Sequence, residues 1–278
     1  MKENKKNTKK IIVIVSVLAV ALIACALFVA FPYRADNRVN DYLSEGFVPE
    51  AGQGLAVEEV IEFGAGTSER DELQSVTVTV NEDGLIVAQP EEAIAGLIFY
   101  PGARVEYDSY IPLMYRMAQK GITCALVKMP LNFAFLDINA ADEVRVQFPE
   151  IENWYVGGHS LGGAMAAYYV KKHADEYDGL LLLGAYTTVD LSDTDLKVYL
   201  AYGTQDGVLN RGQFAKGRKK VPKGSCELVI VGGCHAYFGD YGRQAGDGHP
   251  YISREEQMDY TVNGFVEYIL QELPEGED

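Results

Sequence analysis

The chain has 278 residues, 48% of them hydrophobic and 23% charged, which suits one globular domain of about 200 residues behind an N-terminal extension. The formal net charge is −16; the first ten residues hold five lysines and one glutamate, so they carry +4 and leave −20 for the rest. A body this acidic argues against nucleic-acid binding through phosphate contacts and against anionic polymers or lipid headgroups as partners.

Residues 1–10 are polar and lysine-rich, and residues 11–32 are then apolar with no charge and one hydroxyl, Ser16. About 20 apolar residues suffice to span a bilayer core. Lysines ahead of such a span keep the N-terminus in the cytoplasm, so the expected arrangement is an uncleaved anchor with the domain outside. A cleaved signal and a lipoprotein signal with the lipid on Cys25 are the alternatives, and both also export the domain. Residues 33–73 read as a connector with short helices at 39–43 and 56–63. The domain proper is expected over residues 74–272, followed by an acidic tail at 273–278.

The domain opens with an alternating strand at 74–80, a turn at Asn81-Glu82-Asp83-Gly84 and a returning strand at 85–88, a hairpin pattern. Residues 95–100 form an unbroken apolar run, as expected of a buried parallel strand. A Pro-Gly loop and a helix at 109–120 follow. Residues 122–127 are a second buried strand, leading to an apolar loop at 129–135 and a short helix at 140–148. A strand over 153–156 runs into a small-residue turn and a helix over 164–170. Further strands are expected at 179–183, 197–202 and 227–231, with a possible helix at 210–216 between the last two. The final helix starts at Ser253 with Glu256 three residues on, a capping box. Its stripe of Met258, Val262, Phe265, Val266, Ile269 and Leu270 has helical spacing. Strands alternating with helices after an antiparallel hairpin predict a mostly parallel, doubly wound α/β sheet. Ligands of such sheets bind beyond the carboxyl ends of the strands, which singles out the loops there.

Chemistry concentrates in those loops. Gly158-His159-Ser160-Leu161-Gly162 fits G-x-S-x-G between strand and helix, the setting in which a serine sits on a strained bend with its hydroxyl raised above the sheet. Of the four histidines, His235 follows the last strand at the carboxyl edge. His159 adjoins the serine but should leave the elbow in another direction. His173 lies in a charged stretch, and His249 sits well beyond the edge. His235 is therefore the expected base. Asp206, in the turn after the penultimate strand, is the expected acid; Asp240 and Asp247 are rivals that fall after His235 in the chain. Oxyanion donors are expected from the Leu161 N–H and from Ala103 or Gly102. Lys128 is a candidate for a substrate carboxylate, and Met129, in the apolar loop, for an acyl wall. The cysteines show no zinc spacing; no disulfide, metal or cofactor is expected.

The elbow, the acid turn Tyr202-Gly203-Thr204-Gln205-Asp206-Gly207 and the base loop Gly232-Gly233-Cys234-His235-Ala236 resemble those of the α/β-hydrolases. With Tyr100-Pro101-Gly102-Ala103 and Val127-Lys128-Met129-Pro130, the chain is similar to small bacterial dienelactone-hydrolase-like (carboxymethylenebutenolidase-like) members over about residues 74–270. The resemblance implies an α/β-hydrolase fold and a triad of Ser160 as nucleophile, Asp206 as acid and His235 as base. It departs in having Ala103 where a second glycine is common, and Ser160 where dienelactone hydrolases commonly carry cysteine. Only residues 184–196 separate two strands, too few for a large lid domain. The expected activity is a serine esterase on a small acyl substrate. A peptidase, thioesterase or envelope-polymer deacylase on the same triad, and a non-enzymatic binding protein keeping the fold, are the alternatives.

Overall fold

The computed structural model describes residues 29–36, 57–59 and 73–271. Eight strands form the body of one sheet: β2 (Val76–Val80), β3 (Ile86–Pro90), β4 (Ala95–Tyr100), β5 (Ile122–Leu126), β6 (Trp154–His159), β7 (Gly179–Leu183), β8 (Lys197–Gly203) and β9 (Cys226–Ile230). A three-residue edge strand, β1 (Val57–Glu59), extends it, and the order is β1-β2-β3-β5-β4-β6-β7-β8-β9. The pairs β1–β2, β2–β3 and β3–β5 are antiparallel. From β5 through β4 to β9 every pair is parallel. This is the α/β-hydrolase fold with its antiparallel first strands and no large lid. The connection after β4 turns towards β5, and the one after β6 turns towards β7. Adjacent strands whose loops leave in opposite directions open a crevice between them.

Alternation along the parallel strands separates two cores. Leu97, Phe99, Tyr155, Leu181, Leu183, Tyr199 and Ala201 face one side, where α1 (Ile111–Gln119) and α4 (Arg254–Leu270) pack. Ile98, Tyr100, Val156, Leu180, Leu182, Val198 and Leu200 face the other, under α2 (Leu161–Val170) and α3 (Arg211–Gly217). Both faces are covered, so these strands read as continuous apolar runs. Each fully buried large side chain contributes about 1.5–3 kcal/mol. The capping box of α4 is present: the Ser253 hydroxyl accepts from the Glu256 N–H at 3.1 Å, and the Glu256 carboxylate accepts from the Ser253 N–H at 2.7 Å.

Three local expectations are corrected. The stretch 140–148 is not an α-helix but a series of tight turns ending in the 3₁₀ turn Arg145–Gln147. The buried Tyr100 hydroxyl accepts from the Ala141 N–H at 3.2 Å and donates to the Ile138 carbonyl at 2.6 Å, which draws this backbone out of a helical ladder. Residues 57–59, placed in a helix above, are a strand, because the open edge of β2 offers unpaired backbone groups. The connector also contributes to the domain at residues 31–36. There the Tyr33 N–H donates to the Arg104 carbonyl at 2.6 Å, the Asp36 N–H to the Asp240 carbonyl at 2.7 Å, and Asp36 pairs with Arg254 at 3.0 Å. The expected helix at 39–43, the tail at 273–278, Cys25 and all but the last few residues of the apolar stretch 11–32 lie outside the described residues. Among the described residues no helix is long and apolar enough to cross a membrane.

Candidate active site

The loops after β4, β6, β7, β8 and β9 meet over the crevice. At the end of β6 the chain turns into α2 through Ser160, whose φ of 54° and ψ of −123° place an ordinary L-residue in a region that favours glycine. The small neighbours explain how so sharp a bend packs. A β carbon on Gly158 would lie 2.6 Å from the Gly162 carbonyl carbon, and one on Gly162 would overlap the Tyr100 carbonyl oxygen. The Ser160 N–H donates to the Leu183 carbonyl at 2.9 Å, anchoring the bend to β7. The elbow read from the sequence is therefore present in geometry as well as in pattern.

Asp206 and His235 come together as expected. The Asp206 Oδ2 lies 2.8 Å from the His235 Nδ1, and both residues are buried. The other carboxylate oxygen accepts from the N–H groups of Val208 (2.9 Å) and Leu209 (2.7 Å), which orients the carboxylate before any substrate arrives. The imidazole's remaining nitrogen, Nε2, is shielded from solvent and has no partner among the described residues. Gly184, next to the Leu183 that holds Ser160, ties the pair to the elbow. Its φ is +51°, and a β carbon there would stand 2.9 Å from the His235 Nδ1 and 3.3 Å from the Asp206 Oδ2.

The rival acids have other duties. Asp240 forms an ion pair with Arg254, itself bound to Asp36. Asp247 accepts from the backbone N–H groups of Gly207 (3.1 Å), His235 (3.1 Å) and Ala236 (2.8 Å). It is a clamp between the acid loop and the base loop, a role that sequence reading missed; a carboxylate in a Gly-rich loop after the base was the available signal. Gln257 of α4 holds the same base loop from below, accepting from the Cys234 N–H and donating to its carbonyl, both at 2.8 Å. Burial pushes the Cys234 thiol up to about 12, with the Asp247 carboxylate adding to the effect, so no thiolate competes at this position.

The oxyanion expectation is corrected at Gly102. Its N–H donates to the Tyr110 hydroxyl at 3.0 Å and is not available to a substrate. The N–H of Leu161, at the first position of α2, and that of Ala103, in the turn closed by the Val105 N–H and Gly102 carbonyl, have no internal acceptor among the described residues.

His159 is the other residue whose surroundings the sequence did not reveal. It leaves the elbow as expected but ends fully buried, its Nδ1 2.8 Å from the Tyr110 hydroxyl and its ring centroid 4.4 Å from that of His235. The Tyr110 hydroxyl is thus shared between the Gly102 N–H and His159 Nδ1. That chain links the loop after β4 to the residue before the serine. Burial first, and the adjacent His235 second, hold the His159 imidazole well below its usual range, so it stays neutral. Burial likewise raises the Tyr110 phenol far above its ordinary value. The clue was positional: β6 is buried on both faces, so its last residue is buried as well.

The two weaker candidates differ in exposure. Met129 is 3% exposed and packs in the core with Val127 and Ala134. Lys128 is exposed and its chain runs beside the hairpin turn; a β carbon on Gly84 would lie 3.0 Å from its Cδ. His173 is partly covered by stacking on Tyr169 at 4.3 Å and bonds Glu176, and His249 contacts Arg243 at 3.3 Å. Both stand apart from the triad candidates.

Residues 96–259 match the family model described as Alpha/beta hydrolase family. No curated protein matches the chain. Among solved structures, TT1662 from Thermus thermophilus is similar at 12% identity and a TM-score of 0.50, with 79% of this chain and 98% of that one covered. A dienelactone hydrolase from Anabaena variabilis is similar at 12% identity and a TM-score of 0.50, covering 79% of this chain and 97% of that one. At such identities the likeness concerns the fold.

Proposed function

Because the chain belongs to the alpha/beta hydrolase family, we propose that it is a serine hydrolase cleaving ester-type acyl bonds through Ser160, His235 and Asp206. One observation carries the reading. The buried 2.8 Å contact between Asp206 and His235 is assembled from two loops beside a serine held at positive φ. A buried carboxylate oriented by two backbone N–H groups, with an imidazole on its free oxygen, has the arrangement of a general base and its orienting acid.

In this reading the Ser160 hydroxyl attacks the acyl carbonyl and passes its proton to His235 Nε2. Asp206 accepts from Nδ1–H, selects the tautomer with Nε2 free, and stabilises the imidazolium that forms. The carbonyl oxygen, now an alkoxide, is received by the N–H groups of Leu161 and Ala103; loss of one such donor typically costs about 10²–10³ in turnover. Collapse of the tetrahedral adduct breaks the bond to the leaving alcohol, which takes the proton from Nε2. Water then attacks the acyl-serine with His235 again as base, releasing the acid and restoring Ser160.

The reading places the domain outside the cytoplasm, tethered by residues 11–32. Support comes from the uncharged apolar run and the lysines ahead of it. The test of the function is labelling with a fluorophosphonate probe alongside turnover of a panel of esters, thioesters and peptides. Labelling and ester turnover in the wild type, both lost in Ser160→Ala, are expected. A folded wild type that neither labels nor turns over any ester refutes it.

A further inference from the structure

We propose that the mouth of this site rests on a lipid bilayer and that the ester it takes is carried by a membrane lipid. The proposal deepens the serine-hydrolase reading and rests on it.

The first observation is where the apolar stretch joins the domain. Phe31, 64% exposed, is the next-to-last residue of the run 11–32. Its carbonyl accepts from the Arg104 guanidinium at 2.6 Å, and Tyr33, two residues on, bonds the Arg104 carbonyl. Arg104 directly follows Ala103, the residue assigned to the oxyanion. Whatever the apolar run enters, the chain leaves it beside the catalytic loop.

The second observation is what surrounds that point. The Arg104 N–H donates to the Asn132 carbonyl at 2.8 Å, which pins the loop after β5 to the loop after β4. On the pinned loop Leu131 is 63% exposed, Phe135 50% and Leu136 48%. Leu131 and Asn132 have φ values of 51° and 59°. Left-handed backbone is unfavourable for a branched apolar residue, and here it holds the leucine out in solvent instead of letting it fold onto the core. An outward leucine kept by strained backbone, grouped with two more exposed apolar residues and Phe31, is a surface built for an apolar partner.

The third observation is a groove beside these residues. Phe135, Leu136, Asp137, Ile138, Asn139, Tyr168 and Lys172 line a cavity of about 310 Å³ between this loop and the C-terminal part of α2. The occupant we assign is a bilayer of zwitterionic lipid, since a chain of net charge −16 is repelled by anionic headgroups.

The experiment uses the full chain reconstituted in phosphatidylcholine vesicles. Cys25→Ala and Cys226→Ser leave only the buried Cys124 and Cys234. An environment-sensitive fluorophore is then placed at Leu131→Cys, at Phe135→Cys or, as control, at Glu92→Cys, which lies at the opposite end of β4. Nitroxides on the lipid acyl chains should quench the labels at 131 and 135 and spare the one at 92. In parallel, Leu131→Ser with Phe135→Ser should lower the ratio of turnover on vesicle-borne diacylglycerol to turnover on p-nitrophenyl acetate at least tenfold. Equal quenching at all three sites, no co-flotation with vesicles, or shielding at 131 without quenching (a second copy on this face) overturns the proposal. So does an unchanged ratio. Ser160-dependent hydrolysis of the soluble ester with none of the vesicle ester removes this inference and leaves the serine-hydrolase reading standing. Hydrolysis that survives Ser160→Ala removes that reading itself.

Discussion

The imidazoles of His159 and His235 lie 4.4 Å apart, yet they belong to different hydrogen-bond systems. His235 bonds the Asp206 carboxylate, a group that stabilises a protonated ring. His159 bonds the Tyr110 phenol, which also accepts from Gly102. Burial first, and the neighbouring His235 second, hold the His159 ring below its usual range.

That division has a consequence for acid stability. The His159 pKa is depressed in the folded state, so between that value and the ordinary 6.5 the unfolded chain binds a proton that the native one refuses. Stability from this group is complete above about pH 6.5 and declines as pH falls below it, at up to about 1.4 kcal/mol per pH unit. Urea unfolding from pH 7.5 to 5 should show this slope in the wild type and a shallower one in His159→Gln. Parallel slopes would remove the assignment.

Asp206→Asn should isolate the acid's role. An asparagine oxygen still accepts from Val208 and Leu209, so the turn survives, but the imidazole loses its anionic partner. Turnover is expected to fall by on the order of 10³–10⁴ with little change in melting temperature. Asp240→Asn, which weakens the link to Arg254, should stay within a few-fold of wild type. The reverse ranking would show that the wrong acid had been chosen.

Ser160→Gly is expected to abolish turnover and raise stability. The backbone at φ 54°, ψ −123° is costly for any residue with a β carbon and open to glycine. The strain stored at such positions is about 1–3 kcal/mol. Chemical denaturation should rank Ser160→Gly above both the wild type and Ser160→Ala; equal midpoints would mean the elbow is unstrained.

Gly184→Ala should damage the site from the outside. The new methyl group would press on the His235 Nδ1 from 2.9 Å at a position whose φ is already +51°. Turnover is expected to drop at least about tenfold, because displacing a catalytic group by about 1 Å can cost 10²-fold. A kinetic comparison with a refined structure of the variant checks that His235 has moved.

The parallel half of the sheet was legible because its strands are buried on both faces, leaving unbroken runs such as Ala95–Tyr100 and Gly179–Leu183. The elbow was legible because its glycines answer to contacts a few residues away. The stretch 140–148 was misread because its hydrogen bonds are settled by Tyr100, some 40 residues back. Gly102 was misread for the same kind of reason: whether an N–H is free depends on a phenol eight residues on.

Local patterning by itself therefore determined the fold class, the serine on its bend and the chain order of the candidate acid and base. Hydrophobic period and small-residue spacing are short-range constraints carried in the residues themselves. Only the tertiary structure decided which polar groups are already spent. It gave Asp247 to four backbone N–H groups, Asp240 to Arg254 and Gly102 to Tyr110, and it left Asp206 for His235. A donor or acceptor is committed by whatever lies within about 3 Å in space, and sequence distance carries no record of that.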